Sequence, residues 1–205
     1  MRISFSVLLC VTLSTSSCVT FPNWTGVARL SPEAFTATNT GVVLFSTGAP
    51  GRCLEKATHL EVYDQAARKR VHGRLIAVDS RFFKSDFETH QGLVHALGFP
   101  PGTYSLVPRM ITPVDPIDVP SFQFDVRAGE TTYVGELLMV QSCWTTNVFV
   151  IRDRYERDVA LAMQKNPAIG GRPIGKSLMR PGPAYLEGGR RMRESHPDST
   201  SGEIR

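Results

Sequence analysis

Between residues 41 and 151 apolar and polar side chains alternate largely with a period of two, the spacing of β-strands that bury one face. Phe122, Phe124 and Val126 set against Gln123, Asp125 and Arg127 give the cleanest case. The run 41–47 differs, with Val42 and Leu44 on one face and Val43 and Phe45 on the other, so it is expected to be central or covered on both sides. Further strands are predicted over residues 59–64, with Leu60 and Val62 inward, and over 71–78, 92–97, 103–111, 131–140 and 147–151. The total is about eight. Residues 79–91 break the pattern, and the prolines of 114–120, Pro116 and Pro120, together with Pro113 just before them, cannot pair inside a sheet.

Two turns punctuate these strands. Leu97-Gly98-Phe99-Pro100-Pro101-Gly102-Thr103-Tyr104 has an echo in Ala128-Gly129-Glu130-Thr131-Thr132-Tyr133, each a Gly-containing turn that leads through Thr and Tyr into a strand. Pro101 presets the backbone at the second turn position and Gly102 frees the third. After residue 152 the period changes. Tyr155, Val159, Ala162 and Met163 fall on one helical face, Asp153 with Glu156 resembles a capping box, and Asn166-Pro167 ends the helix. The expected fold is mainly β: an antiparallel β-sandwich of about eight strands over residues 40–169, closed by one C-terminal α-helix. Residues 170–205 are rich in Gly, Pro, Arg and Ser with little to bury, and are expected to be a disordered basic tail.

Charge sharpens that division. The chain of 205 residues carries 23 basic and 19 acidic side chains, a formal +4. Leaving out Arg2 of the leader gives +3. Residues 170–205 hold Arg172, Lys176, Arg180, Arg190, Arg191, Arg193 and Arg205 against Glu187, Glu194, Asp198 and Glu203, which is also +3. The part between is formally neutral, so the basic balance belongs to the tail and argues against nucleic acid as a partner of the sandwich.

Residues 1–17 have the layout of a secretory signal: Arg2, an apolar run through Leu13, then Thr15-Ser16-Ser17. The small residues stop at Cys18. Thr15-Ser16-Ser17-Cys18 resembles the end of a bacterial lipobox, with Thr15 where Leu is usual, and the resemblance implies that Cys18 becomes a lipidated N-terminus. The alternative is a plain signal peptide cut nearby. Several acyl chains, palmitate among them, would anchor the protein stably. Val19 stands where Asp would mark inner-membrane retention, so the resemblance implies the outer membrane, facing the periplasm. Residues 18–39 are polar and read as a tether.

Cys53 and Cys143 are the remaining even pair of an exported chain, and oxidising surroundings make a disulfide the expectation. Closing that loop would contribute about 4 to 5 kcal/mol in the chain-entropy view. Two separate buried thiols are the alternative.

No catalytic signature is present, and no cofactor or metal is expected. Ser80 and Lys84 lie one residue too far apart for a Ser-x-x-Lys motif. His90 and His95 have the parity of opposite strand faces, His59 and His72 bring no carboxylate or Cys partner, and Asp115 and Asp118 lack the oxygen density of a calcium loop. Phe82, Phe83 and Phe87 stand among Arg81, Lys84, Asp86 and Glu88. At least two of the three rings are expected to pack on the sandwich; left exposed, they form a candidate interaction surface together with Arg190, Arg191 and Arg193.

The run 41–165, with Gly41-Val42-Val43-Leu44-Phe45, Pro100-Pro101-Gly102-Thr103-Tyr104 and Ala128-Gly129-Glu130-Thr131-Thr132-Tyr133, is similar to uncharacterised bacterial envelope lipoproteins with a prealbumin-like or carboxypeptidase-regulatory-like sandwich. The resemblance implies a non-catalytic structural or interaction module. Expected partners are the membrane through the lipid anchor, another envelope protein, or an anionic cell-wall polymer. A loop-built small-ligand binder or enzyme is the alternative.

Overall fold

β1 (Gly41–Ala49) sits at the centre, as its two apolar faces require. It pairs antiparallel with β4 (Gln91–Phe99) and parallel with β7 (Thr131–Met139). β8 (Phe149–Arg152) joins the C-terminal half of β7, β9 (Ile174–Lys176) joins its N-terminal half, and sheet I is complete. β2 (His59–Asp64), β3 (Lys69–Ala77), β5 (Gly102–Arg109), β6 (Phe122–Val126) and β10 (Arg180–Pro181) form sheet II in the order β10-β6-β5-β2-β3. This computed structural model describes Val27, Leu30 and residues 33–34, 37–53, 58–109, 121–140 and 148–185, the side chains of 72–75 excepted. The chain is the expected two-sheet sandwich with one helix. The first eight strands lie within a few residues of the alternation pattern; β9 and β10 come from the segment expected to be unstructured.

Alternate residues of the two sheets meet between them, among them Val43, Phe45, Leu97 and Phe99 from sheet I and Leu60, Val62, Leu106 and Phe124 from sheet II. The opposite face of sheet I carries Val42, Leu44, Val94, Ala96 and Tyr133, which pack under α1 (Tyr155–Lys165) and the 3-10 turn Pro167–Gly171 through Ala162 and Ile169. The result is three layers. Each large apolar side chain so buried contributes about 1.5 to 3 kcal/mol against chain entropy.

The two Gly-Thr-Tyr turns build different corners. After the first, the Tyr104 ring packs within the sandwich core against Phe99 and Phe124, at centroid distances of 4.7 and 5.8 Å. Its hydroxyl donates to the Pro100 carbonyl at 3.0 Å and so closes the turn it follows. In the second, Gly129 takes a left-handed φ of 72° that favours glycine, and Tyr133 points to the helix side.

The strand order sorts the connections by length. The links 65–68, 100–101 and 127–130 leave from one end of the sandwich, while 50–58, 78–90, 110–121 and 140–148 leave from the other. Of these seven links the four longer ones therefore depart from the same end.

Four expectations need correction. Residues 18–39 are not free throughout: Val27 is fully buried and Leu30 packs with it, the Asn166 amide donating to both carbonyls at 3.3 and 3.0 Å. The tail is not free from residue 170 either. Beyond β9 and β10, Met179 enters the core between the sheets and Ala184 is buried against Tyr63 and Val107. Arg172, Lys176 and Arg180 are committed to the Gly129 carbonyl, Asp153 and Asp125, so three of the seven basic residues serve the fold. The capping box is displaced by one residue: Arg154 is the N-cap without a side-chain bond, while the Asp153 carboxylate accepts the Tyr155 N–H at 3.1 Å. Met163, expected on the buried face, is 41% exposed.

Candidate functional site

A charged cluster lies buried between α1 and sheet I, and a backbone irregularity creates it. Leu44 on β1 faces Tyr133 on β7, but Ser46 faces Glu136, so β7 holds one residue more than β1 over this stretch. Gly135 takes up the surplus at φ 105°, a conformation other residues avoid. By simple alternation Glu136 would share the parity of Val134 and point into the sandwich. The bulge instead keeps Val134 and Leu137 in the core and turns Glu136 toward α1.

From the helix, Asp158 falls on the apolar stripe between Tyr155 and Ala162 and is 0% exposed; Glu136 is 1% exposed. The Ser46 and Tyr133 hydroxyls donate to Asp158 Oδ2 at 2.6 and 2.9 Å. Arg157 joins the two acids, its Nε donating to Asp158 Oδ1 at 2.8 Å and its terminal nitrogen to Glu136 Oε1 at 2.7 Å. A further bond from Arg157 reaches Ser46 Oγ at 3.3 Å. Arg154 stands 3.9 Å from the other Glu136 oxygen, and its backbone N–H donates to the Tyr133 hydroxyl at 3.0 Å.

The loop before β4 closes the cluster. His90 Nε2 lies 3.1 Å from Glu136 Oε1 and Nδ1 lies 3.0 Å from Thr89 Oγ1; a carboxylate only accepts, so Nε2 carries a proton toward Glu136. Burial lowers the His90 pKa against the pull of Glu136, with Arg157 adding to the lowering. Phe87 lies between the His90 ring at 4.5 Å and the Arg157 guanidinium at 4.1 Å. Burial raises the Asp158 carboxyl above the usual carboxylate range even against Ser46, Arg157 and Tyr133. The Tyr133 hydroxyl is pushed far up by burial and by Asp158. Arg157 loses hydration by burial, yet Glu136 and Asp158 hold it above its ordinary value.

This arrangement consumes its own reactivity. Ser46 is fully buried and already donates to Asp158, while the imidazole is committed to Glu136. The carboxyl bonded to that hydroxyl, Asp158, is itself held by Tyr133 and Arg157 and is as fully buried as Ser46. The cluster is a latch that locks helix to sheet.

The sequence-predicted residues fall elsewhere. Phe82 is 69% exposed beneath Arg81, Phe83 is half-buried, and Phe87 packs in the helix layer. His95 is buried on the sandwich side of sheet I, stacked on Phe45 and 2.9 Å from Thr47 Oγ1, so it and His90 face opposite sides. Cys53 is buried with Sγ 2.7 Å from Asp79 Oδ2. Burial pushes the Asp79 carboxyl up to about 6, against the Thr58 N–H that donates to it at 2.6 Å. Cys18, Cys143, Asp115, Asp118, Arg190, Arg191 and Arg193 lie outside the described residues, as does the side chain of His72. No grouping of three or more metal-suited side chains occurs among the described residues.

No family model, curated protein or solved structure matches the chain. The latch residues Ser46, Glu136, Arg157 and Asp158 escape sequence reading because each is one polar position in an otherwise apolar stripe. An acid at the fourth position of the helix, between Tyr155 and Ala162, was the available signal.

Proposed function

We propose that the protein is a cell-envelope lipoprotein acting as a non-catalytic structural or interaction module. One observation carries the non-catalytic part: the acids, base and hydroxyl gathered between α1 and sheet I are all engaged with one another. The envelope part is supported by the leader and by Thr15-Ser16-Ser17-Cys18, whose resemblance to a lipobox implies a lipid on Cys18 and an outer-membrane location. No helix among the described residues is long and apolar enough to cross a membrane. The prealbumin-like resemblance is supported by the two-sheet architecture. Mass spectrometry of the membrane-extracted protein is expected to find Cys18 acylated at the N-terminus, and Cys18→Ser is expected to release the protein into the soluble fraction. An unmodified N-terminus at another residue overturns the anchor. Pull-down from solubilised envelope with the lipidated protein identifies the partner.

A loop-built small-ligand site is the second reading. It is favoured by Thr47, Asp79, Gln91 and His95, all buried polar residues, the first three toward the end from which the longer links depart. Binding of small acids or sugars that disappears in His95→Phe would support it.

A further inference from the structure

We propose that the outer face of sheet II is a groove for an extended peptide, which the chain fills with its own Gly182-Pro183-Ala184-Tyr185. This deepens the interaction-module reading and rests on it. After β10 the strap crosses the face of β6, β5 and β2, and each of its four residues is held by a different group. The Ser121 hydroxyl donates to the Gly182 carbonyl, and the Gln123 amide donates to that of Pro183. Ala184 is fully buried against Tyr63 and Val107. The Tyr185 N–H donates to Gln65 Oε1 at 2.8 Å, and its ring lies 4.6 Å from the Arg68 guanidinium. Carbonyls and an N–H read by side chains, one small side chain in a closed slot and one aromatic under a cation make up the recognition pattern of an extended ligand.

The strap is not the best occupant of this groove. Ser105 lies directly between Tyr63 and Gln123 in the sheet, in the row that grips Pro183 and Ala184. It is 0% exposed and its hydroxyl has no hydrogen-bond partner among the described residues. A buried hydroxyl left unpaired is costly, and the alanine methyl above this row offers it nothing. A segment with serine in the place of Ala184 would engage it. The structure therefore assigns the groove to a partner's extended segment of the form Gly-Pro-Ser-aromatic, with the strap as the resident competitor.

The test uses the full chain. Ala184→Arg puts a long cation into the closed slot and displaces the strap. Two peptide probes are then titrated by calorimetry: residues 180–187, and the same peptide carrying Ala184→Ser. The wild-type chain is expected to bind neither appreciably, and the Ala184→Arg chain to bind both, the serine peptide about fivefold tighter, as one neutral hydrogen bond provides. Ser105→Ala in that background is expected to erase the preference while leaving binding in place. The proposal is overturned if the folded Ala184→Arg chain binds neither peptide, if the wild type binds as tightly as the variant, or if the two peptides bind alike. Should Ala184→Arg not fold, Tyr185→Ala takes away only the strap's own ring from Arg68 and leaves every groove residue in place; peptide binding must then rise above wild type, and no rise overturns the groove. None of these outcomes touches the acylation of Cys18, so the two readings fail separately.

Discussion

Replacing Arg157 by Met leaves two buried carboxylates facing each other without the cation that joins them. The guanidinium bonds Glu136 at 2.7 Å and Asp158 at 2.8 Å, and both acids are almost wholly out of water. Removing one partner of a buried ionic cluster costs about 3 to 5 kcal/mol, because the charge left behind is neither hydrated nor paired. In a domain of this size each kcal/mol moves the melting temperature by about 2 to 4 °C, so the expected drop is roughly 6 to 20 °C. The sign of the pH dependence makes the test specific. Burial already holds the Asp158 carboxyl above its ordinary value, with Arg157 opposing, and loss of the arginine raises it further. A group whose folded pKa is raised stabilises most when protonated in both states, and that stability disappears as pH rises through the folded value. The Arg157→Met variant is therefore expected to lose more at pH 8 than at pH 5, measured by urea unfolding followed by circular dichroism. Combining it with Glu136→Gln and Asp158→Asn removes both buried carboxylates and the guanidinium between them, leaving only the more exposed Arg154, and should recover most of the loss. A variant within about 1 kcal/mol of wild type at pH 8, with no gain at pH 5, would refute the latch.

Gly135→Ala should destabilise by about 1 to 3 kcal/mol, read as a shift in the urea midpoint, because φ 105° is hostile to a Cβ that would also meet Ile151 Cγ2 at 3.2 Å. Burial raises the Asp79 carboxyl to about 6, so the part of the stability it controls should fall as pH rises through that value; Asp79→Asn should flatten the stability profile between pH 5 and 7. Thiol labelling of the exported protein under denaturing, non-reducing conditions should find neither Cys53 nor Cys143 free, and reduction should expose both.

The fold was legible where one physical rule governs. Val42 to Phe45 could only be a strand covered on both faces, and it lies between the sandwich core and α1. Phe122, Phe124 and Val126 point inward as their alternation requires. The latch was not legible, because it depends on a register shift that no local pattern announces. Val134-Gly135-Glu136 reads as an ordinary stretch of strand, and only pairing with β1, far away in sequence, shows that Gly135 turns Glu136 around. The strap was missed for a related reason. Gly182 and Pro183 have no core-forming side chains, and what holds them is their backbone carbonyls, which composition does not reveal.

The parallel contact between β1 and β7 sets the order in which the molecule can be assembled. Every polypeptide emerges N-terminus first, so Val42 must wait for Thr131 before that flank of β1 is closed. β4 can cover one side early, since a β1–β4 pairing needs nothing later than Phe99. The other side stays an open edge with Val42, Val43, Leu44 and Phe45 apolar on both faces, the kind of segment that pairs readily with a neighbouring chain. The yield of folded protein is then governed less by its final stability than by how long this edge is shielded, and a chain interrupted before Met139 keeps the hazard permanently.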